Sequence, residues 1–190
     1  MNSIPLFPLL GESLSLDLAN TRMHQDGTVA DLLETPAELA AWLRLEAERL
    51  SWTGSVSTAD WRAVCKLRSA LEELFGAWHA HRPPNAVAVA AINHAQAAPS
   101  IRTRFIWTGR EPRLAPLGAR SQRSVLLCKL AADAVTLLTG PQAKRLRKCA
   151  NPDCVLMFVA TYPRRRWCSS ALCGNRARVA RHYRRHHDSD

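Results

Sequence analysis

Four of the six cysteines in this 190-residue chain form two closely spaced pairs near its C-terminal end. Four residues separate Cys149 from Cys154, four separate Cys168 from Cys173, and 13 lie between the pairs. Each pair can supply two thiolates from one tight turn, and the intervening chain can fold back to bring the pairs together around a tetrahedral ion. The spacing therefore predicts a small module organised by a metal, because about 40 residues cannot build a sufficient apolar core.

Zinc is the metal that this ligand set favours, since it accepts four thiolates in a closed site. An iron–sulfur cluster is an alternative, although its cysteines are usually spaced more closely in at least one triplet. Two disulfides are the remaining alternative, which a cytoplasmic location disfavours. Cys65 and Cys128 lie within apolar helical segments, so we interpret them as small core residues.

A cytoplasmic location without a membrane partner is expected from the rest of the chain. The first 30 residues lack the basic start of a secretory signal, and their first cationic residue is Arg22. No apolar run reaches the roughly 18 residues that span a bilayer. Hydrophobic residues make up 47% and charged residues 22% of the chain, which is typical of a globular protein.

Positive charge is concentrated in the same region as the cysteine pairs. Residues 141–190 carry 12 Lys and Arg against 3 acidic residues, whereas residues 1–140 carry 14 against 13. We therefore expect a helical domain over residues 1–140 and a basic metal module over residues 141–190. A solubilising basic tail is the alternative, but these arginines alternate with cysteines, tryptophan and apolar residues. A structured basic surface favours nucleic acid as the partner.

Capping signals and apolar periodicity predict a mainly helical α+β fold. Thr35 and Glu38 mark a helix start with a capping box, and Pro83-Pro84 stops the helix that follows. The segment around Gly109 predicts a turn between two β-rich runs, and a nearly uniform apolar segment before Gly140 predicts the central buried helix. The predicted elements are helices over 35–54, 57–82 and 85–97, a β-hairpin over 101–117, and a helix over 121–139.

The metal module is expected to follow a treble-clef-like plan. Residues 155–167 predict a hairpin with a turn at 161–164, so that this hairpin lies between the two cysteine pairs. Ser169-Ser170 then caps a helix over residues 171–186, which carries Cys173 near its start.

Helix geometry assigns roles to the basic residues of this module. At 100° per residue, Arg178, Arg181 and Arg185 share one face, where they are candidates for contact with nucleic-acid phosphates. Arg176 lies on the other side. Together with Asn175, it is expected to point towards the metal ligands and to offset the negative charge of four thiolates. Further candidates for phosphate contact are Lys144, Arg145, Arg147, Arg164 and Arg165.

A short polar cluster early in the chain has two interpretations. Asp17, Asn20, Thr21, Arg22 and His24 are candidates for lining the pocket of a small-molecule effector. Alternatively, the first three cap or brace a chain reversal, which short polar side chains commonly do. The sequence has no glycine-rich phosphate loop, nucleophile elbow or His-Glu metal helix, so we do not expect an enzyme.

Two parts of the chain resemble known families. Residues 145–154, then 166–169 and the tetrapeptide Cys173-Gly174-Asn175-Arg176, closely resemble the CGNR zinc finger family, which is named after that tetrapeptide. Residues 16–21 and 33–36 resemble its usual companion, the ABATE domain. The resemblance covers essentially the whole chain. It implies zinc on the four cysteines and a DNA-binding role in a bacterial, stress-induced transcription regulator.

We therefore expect a zinc-dependent DNA-binding transcription regulator in which zinc is structural. RNA binding through the same module is the first alternative, with Tyr162 or Trp167 stacking on unpaired bases. A zinc-stabilised protein-interaction module, whose basic surface meets an acidic partner, is the second.

Overall fold

The structure, a computed structural model, describes residues 7–8, 10–25, 28–97, 103–109, 111–116 and 121–187. Its helices are α1 (Leu14–Ala19), α2 (Pro36–Leu45), α3 (Thr58–His79), α4 (Ala86–Gln96), α5 (Gln122–Thr139) and α6 (Asn175–His187). Its strands are β1 (Arg22–Gln25), β2 (Thr28–Asp31), β3 (Thr103–Thr108), β4 (Glu111–Pro116), β5 (Leu146–Lys148) and β6 (Met157–Val159). A 3-10 helix (Pro141–Arg145) follows α5, and a π-helical turn (Ser170–Gly174) precedes α6. Within the described ranges, no helix has both the length and the apolar character needed to cross a membrane.

The starts of the longer helices confirm the capping predictions. The Thr35 hydroxyl oxygen accepts from the Glu38 amide, while the Glu38 carboxylate accepts from the Thr35 amide. Asn85 and Ser121 cap α4 and α5 through their side chains. Each cap satisfies an amide that the first helical turn leaves without a partner. The mainly helical α+β class that these signals predicted is confirmed.

Helix α2 is shorter than predicted, because it ends at Leu45 and not near residues 52–54. The chain then turns, with the amides of Arg49 and Leu50 donating to the Glu46 carbonyl. This turn buries Leu50 and brings the Arg49 guanidinium 2.9 Å from the Asp17 carboxylate. Tertiary contacts therefore outweigh the local helix preference of this segment.

Helix α3 is the centre of the main core. Its buried face, which runs from Val64 to Ala77, packs against α1, α2, α4 and α5. Helix α5, which we expected to be the central buried helix, contributes Leu126, Leu130 and Leu137 to this core but keeps its other side partly exposed. The longest helix, α3, and not α5, therefore organises the domain.

Of the three hairpins in the described part of the chain, the one formed by β3 and β4 was predicted correctly. β3 and β4 pair from Thr103↔Pro116 to Thr108↔Glu111, and Gly109 adopts a φ of 63° in the turn. The β1–β2 hairpin was not predicted, because its two four-residue strands show no apolar alternation.

The strand pairing predicted inside the metal module is wrong. β6 pairs antiparallel with β5, from Leu146↔Val159 to Lys148↔Met157, and residues 165–167 form no strand. The hairpin therefore encloses the first cysteine pair instead of lying between the pairs. This pairing closes the turn that holds Cys149 and Cys154, which a hairpin further along the chain cannot do.

The metal module packs directly on the helical domain. Leu146 belongs to the main core, and Met157 and Val159 pack against it. The side-chain amide of Asn20 donates to the Met157 carbonyl at 2.8 Å and accepts from the Met157 amide at 2.9 Å. The Glu12 carboxylate accepts from the Val159 amide at 2.8 Å. Glu12 and Asn20 thus hold β6 in place.

Candidate metal centre

The first cysteine pair lies on the loop that joins β5 to β6. The Cys149 amide donates to the Leu156 carbonyl, and the Cys154 amide donates to the Asn151 carbonyl, both at 3.0 Å. The Asn151 side-chain oxygen also accepts from the Asp153 amide at 3.2 Å, a local turn that an Asn-Pro-Asp sequence favours. These bonds form the knuckle that presents two sulfurs together.

The second pair is positioned by the π-helical turn before α6. The Ser169 hydroxyl oxygen accepts from two backbone amides of this turn, at 3.2 and 3.4 Å. The Gly174 amide donates to the Ser169 carbonyl at 2.9 Å. A Cβ atom at position 174 would lie 3.3 Å from that carbonyl oxygen, so only glycine fits without a shift. The turn brings Cys173 back beside Cys168.

The four sulfurs converge on one point. All four Sγ atoms lie within 4.8 Å of one another, and those of Cys154 and Cys168 are 3.9 Å apart. Tetrahedral coordination with metal–sulfur distances of about 2.3 Å requires sulfurs about 3.8 Å apart. A disulfide requires about 2.05 Å, so the disulfide alternative is excluded for these free thiols. The four side chains are buried, which matches a closed structural metal site.

Hydrogen-bond donors face the sulfurs from several sides. The Cys168 amide donates to the Cys149 sulfur at 3.4 Å, and the Asn151 side-chain amide donates to the Cys173 sulfur at 3.6 Å. Hydrogen bonds with Cys154 and Cys168 lower the pKa of Cys149 to about 2, and the contact with Cys149 raises the pKa of Cys154 to about 12. Crowded thiols cannot all ionise alone because like charges repel. A divalent cation removes this obstacle, and the N–H donors offset the remaining negative charge.

Arg165 braces the ligand loop and does not project into solvent. Its side chain is 17% exposed, forms an ion pair with Glu12 at 3.3 Å and lies 4.4 Å over the ring of Phe158. Its guanidinium donates to three carbonyl groups, those of Val159, Trp167 and Cys168. Arg165 was expected among the phosphate contacts, but these interactions give it a positioning role beside the metal ligands.

The two residues expected to face the metal do not do so. Asn175 and Arg176 are both exposed at the start of α6. Val179 and Tyr183, on the side of α6 that was expected to pack inwards, are 45% and 60% exposed. The helix therefore extends away from the module. The distribution of basic and apolar residues around α6 does not predict which side faces the metal. The donor that faces Cys173 is Asn151, which the sequence analysis did not select.

A basic groove lies beside the second cysteine pair. Its volume is about 550 Å³, and Tyr162, Arg164, Arg165, Arg166, Ser169 and Ser170 are among the residues that line it. Arg164 and Arg166 are exposed, and the Arg178 guanidinium reaches its edge by donating to the Ser170 carbonyl at 3.2 Å. Arg166 was missing from the predicted contacts, although it belongs to the same Arg-Arg-Arg run as two residues that were selected.

The remaining basic candidates differ in their exposure. Lys144, Arg145 and Arg181 are exposed. Arg147 is half-buried and donates to the Pro163 carbonyl at 2.8 Å, so it fixes the loop between the cysteine pairs. The side chain of Arg185 lies outside the described part of the chain.

Two of the predicted pocket residues have structural roles. Asp17 is buried, and its burial raises the pKa of the carboxyl although the hydrogen bond from Arg49 opposes this effect. Thr21 is buried, donates to the Leu18 carbonyl at 2.7 Å and accepts from Arg68 at 2.9 Å. Thr21 braces the chain reversal after α1, as the alternative interpretation proposed, whereas Asp17 bonds to Arg49 and to the Glu12 amide before α1.

The other predicted pocket residues are placed differently. Asn20 and Arg22 line a cavity of about 390 Å³ that Asp17 and Thr21 do not reach. His24 lies in β1, but its side chain is outside the described part of the chain. The cavity therefore includes two of the five predicted residues.

Comparison with family models gives two matches. Residues 12–141 match the ABATE family, described as "Putative stress-induced transcription regulator", and residues 145–186 match the CGNR zinc finger. Neither description is that of an enzyme family. A search of curated proteins found no match. Because the first match covers more than half of the chain and the second contains all four clustered cysteines, the protein belongs to the ABATE family and carries a C-terminal CGNR zinc finger.

Proposed function

We propose that this protein is a cytoplasmic, non-enzymatic transcription regulator that binds DNA through its zinc module and acts in a bacterial stress response. Zinc is structural in this proposal: it joins the knuckle between β5 and β6 to the turn before α6. The family description supports the regulatory part, and the four buried, converging sulfurs support the metal. Zinc is the ion proposed because four thiolates at tetrahedral spacing are its usual structural ligands.

The basic groove carries the DNA-binding part of the proposal. Arg164 and Arg166 are exposed at its edge, and Arg178 is anchored to its rim by the Ser170 carbonyl. Guanidinium groups held in fixed positions bind phosphate oxygens with two parallel hydrogen bonds. In this proposal the metal holds the basic side chains in fixed positions, so that they can match the positions of successive phosphates.

Helix α6 extends this surface. Arg178 and Arg181 are exposed three residues apart on one face, and Arg185 follows four residues later in the sequence. A helix that projects from a small module can follow a duplex groove, whose phosphates flank it on both sides. We therefore propose α6 as the element that approaches the duplex.

Salt titration of DNA binding tests this proposal. The logarithm of the binding constant falls by about 0.9 per neutralised phosphate for each logarithmic unit of salt. Replacing Arg178, Arg181 and Arg185 by Ala is expected to reduce the slope by about two to three units. The matched control replaces Arg44, Arg62 and Lys66, three exposed basic residues of the helical domain, by Ala. Equal slopes for the two triple variants would count against contact through α6.

RNA binding is the alternative that a specific observation favours. Tyr162 is 58% exposed at the groove, and the Trp167 ring lies 5.5 Å from the Arg166 guanidinium. Aromatic rings beside arginines suit stacking on unpaired bases. Competition between duplex DNA, hairpin RNA and single strands in one binding series separates the two partners. A preference for single strands that Tyr162→Ala abolishes would favour RNA.

A protein-interaction role predicts a different result in the same series. In that case the zinc-loaded protein would bind every nucleic acid no better than a polycation of equal charge. Selection of a preferred DNA sequence from a random pool would oppose that role and support the regulator.

A further inference from the structure

A cavity of about 390 Å³ lies at the seam between the helical domain and the zinc module. Its walls include Phe75 and Gly76 on α3, with Lys148, Val155 and Met157 from the module. We propose that this cavity binds a small amphipathic anion, an apolar body that carries one acidic group, and that the bound ligand controls how the zinc module engages nucleic acid.

The size and lining of the cavity suit a small organic ligand. Known ligand pockets have volumes of roughly 300–1,000 Å³ and mainly apolar walls with a few polar groups. Here Leu16 and Phe75 form a buried apolar wall, while Val29 is 55% exposed at the mouth. An apolar body can therefore enter from solvent and remove apolar surface from water.

Gly76 keeps part of this space open. It lies in the interior of α3, where glycine is less favourable than alanine because of its backbone freedom. A Cβ atom built at this position would meet no atom within 4 Å. Packing therefore does not require glycine here, and a larger side chain would project into space beside the cavity without a backbone clash. This gives a direct way to fill the cavity.

The charged groups around the cavity favour an anion. Arg22 is paired with Glu72 at 2.7 Å and with Asp31 at 3.3 Å. Lys148 and His79 are exposed at the lining, and in the described part of the chain Lys148 makes no ion pair. Among the described lining residues, Glu72 is the acidic one, and it is already paired with Arg22. The ammonium of Lys148 is therefore available to meet the acidic end of a ligand.

The position of the cavity couples it to the metal module. Met157 lines the cavity and is joined through its backbone to the Asn20 amide, and Lys148 directly precedes the metal ligand Cys149. A ligand that touches both walls changes the free energy of docking β5 and β6 on the helical domain. By linkage, nucleic acid and ligand must then change each other's affinity by the same factor. This regulatory step rests on the proposed function, whereas the ligand site itself does not.

Two fluorescent probes that share one ring system and differ in charge test the site. 8-Anilinonaphthalene-1-sulfonate has an apolar body and one acidic group, and N-phenyl-1-naphthylamine has the same rings without the sulfonate. With the zinc-loaded full-length protein, we expect one equivalent of the sulfonate to bind, about tenfold more tightly than the neutral probe. Equal affinities of the two probes, or no saturable binding, would overturn the anionic assignment.

Variants assign the probe to this cavity. Gly76→Leu is expected to weaken binding of both probes at least tenfold, while Ser69→Leu, an exposed position on the same helix, leaves both unchanged. Lys148→Gln is expected to weaken only the sulfonate, about fivefold, and Lys66→Gln neither probe. If Gly76→Leu does not fold, Val29→Trp at the mouth replaces it. Unchanged sulfonate affinity in the folded filling variant would overturn the proposal.

A final titration separates this inference from the proposed function. DNA affinity is measured with and without saturating sulfonate probe, in the unaltered protein and in the filling variant. A change of at least threefold in the unaltered protein alone supports control through the cavity. Probe binding without any change in DNA affinity would overturn the regulatory step and leave the site standing. Absence of DNA binding in every sample would instead refute the proposed function, while the probe results would still decide the site.

Discussion

Arg165 and Arg166 are neighbours in the chain with different surroundings. The Arg165 guanidinium donates to three carbonyl groups and pairs with Glu12, whereas Arg166 is exposed beside the basic groove. Sequence reasoning selected Arg165 for phosphate contact and omitted Arg166, because a run of three arginines carries no information on which side chain turns inwards. Side-chain direction here depends on the loop that the two cysteine pairs create, and that loop is a tertiary feature.

This difference predicts opposite effects of two similar substitutions. Arg165→Ala removes the donor to three carbonyl groups and the cationic partner of Glu12, so zinc affinity is expected to fall about 10- to 100-fold. Arg166→Ala is expected to leave zinc affinity unchanged and to weaken nucleic-acid binding. Competition with a chromophoric zinc chelator measures the first effect and salt-controlled binding measures the second. Equal zinc affinities of the two variants would contradict the bracing role of Arg165.

Asp31 and Arg68 give a prediction that depends on pH. Burial acts to raise the pKa of Asp31, but hydrogen bonds from Arg68, the Leu33 amide and Arg22 outweigh it, so the pKa lies below its usual value of 3.8. The Arg68 side chain is 1% exposed, so loss of Asp31 leaves a buried charge whose remaining ion pair, with Glu72, is longer at 3.8 Å. Asp31→Asn is therefore expected to lower the free energy of unfolding at pH 7 by about 3 kcal/mol.

The same lowered pKa fixes the direction of the pH dependence. The carboxylate stabilises the fold fully above pH 3.8, and this contribution is lost as the pH falls through the lower pKa of the folded state. Urea unfolding from pH 7 down to about 2 should show the unaltered protein approaching the variant only below pH 3.8. A difference that stays constant over this range would show that the charge of Asp31 is not responsible.

At the scale of elements, the sequence predicted the features that depend on hydrogen bonds between near neighbours, such as helix starts. The Thr35–Glu38 capping box follows from hydrogen bonds between residues three apart, so the sequence contains the whole interaction. The pairing of β5 with β6 depends instead on closing the knuckle and on packing against the main core. Three-residue strands carry too little periodicity to reveal such a partner.

The side-chain amide of Asn20 joins the end of α1 to β6, so its removal tests how the metal module docks on the helical domain. It pairs with both backbone groups of Met157, so it continues β6 in the manner of a neighbouring strand. Asn20→Ala leaves these groups unpaired and is expected to cost about 2 kcal/mol of stability. Hydrogen exchange at the Met157 amide should accelerate while α3 stays protected. Asn93→Ala, at an exposed position of α4, is the control, and equal exchange in the two variants would refute this docking role.

At the scale of the whole molecule, two cores of different size share one chain. The cluster around the metal consists of the four cysteines with Leu156, Phe158 and Ala160, whereas the main core includes residues from every helix between α1 and α5. The sequence indicates a separate metal module through its cysteine spacing and charge. It did not predict the seam, since Glu12 and Asn20 are far from the module in the chain and their contacts leave no local pattern.

Removal of the metal should therefore affect the two parts unequally. With a strong zinc chelator, we expect the module to lose its protection from hydrogen exchange and its nucleic-acid binding, because four thiolates have no other means of closing the knuckle. The helical domain should keep most of its far-ultraviolet circular dichroism, and zinc should restore the rest. Cooperative unfolding of the entire chain on chelation would show that the two cores are not separable.

The central claim is that four cysteines bind one ion and thereby fix the basic surface. X-ray absorption at the zinc edge of the purified, untagged protein tests it most directly. The account predicts one zinc per chain with four sulfur neighbours at about 2.3 Å. A first shell of oxygen or nitrogen, or a purified protein that contains no zinc, would contradict it.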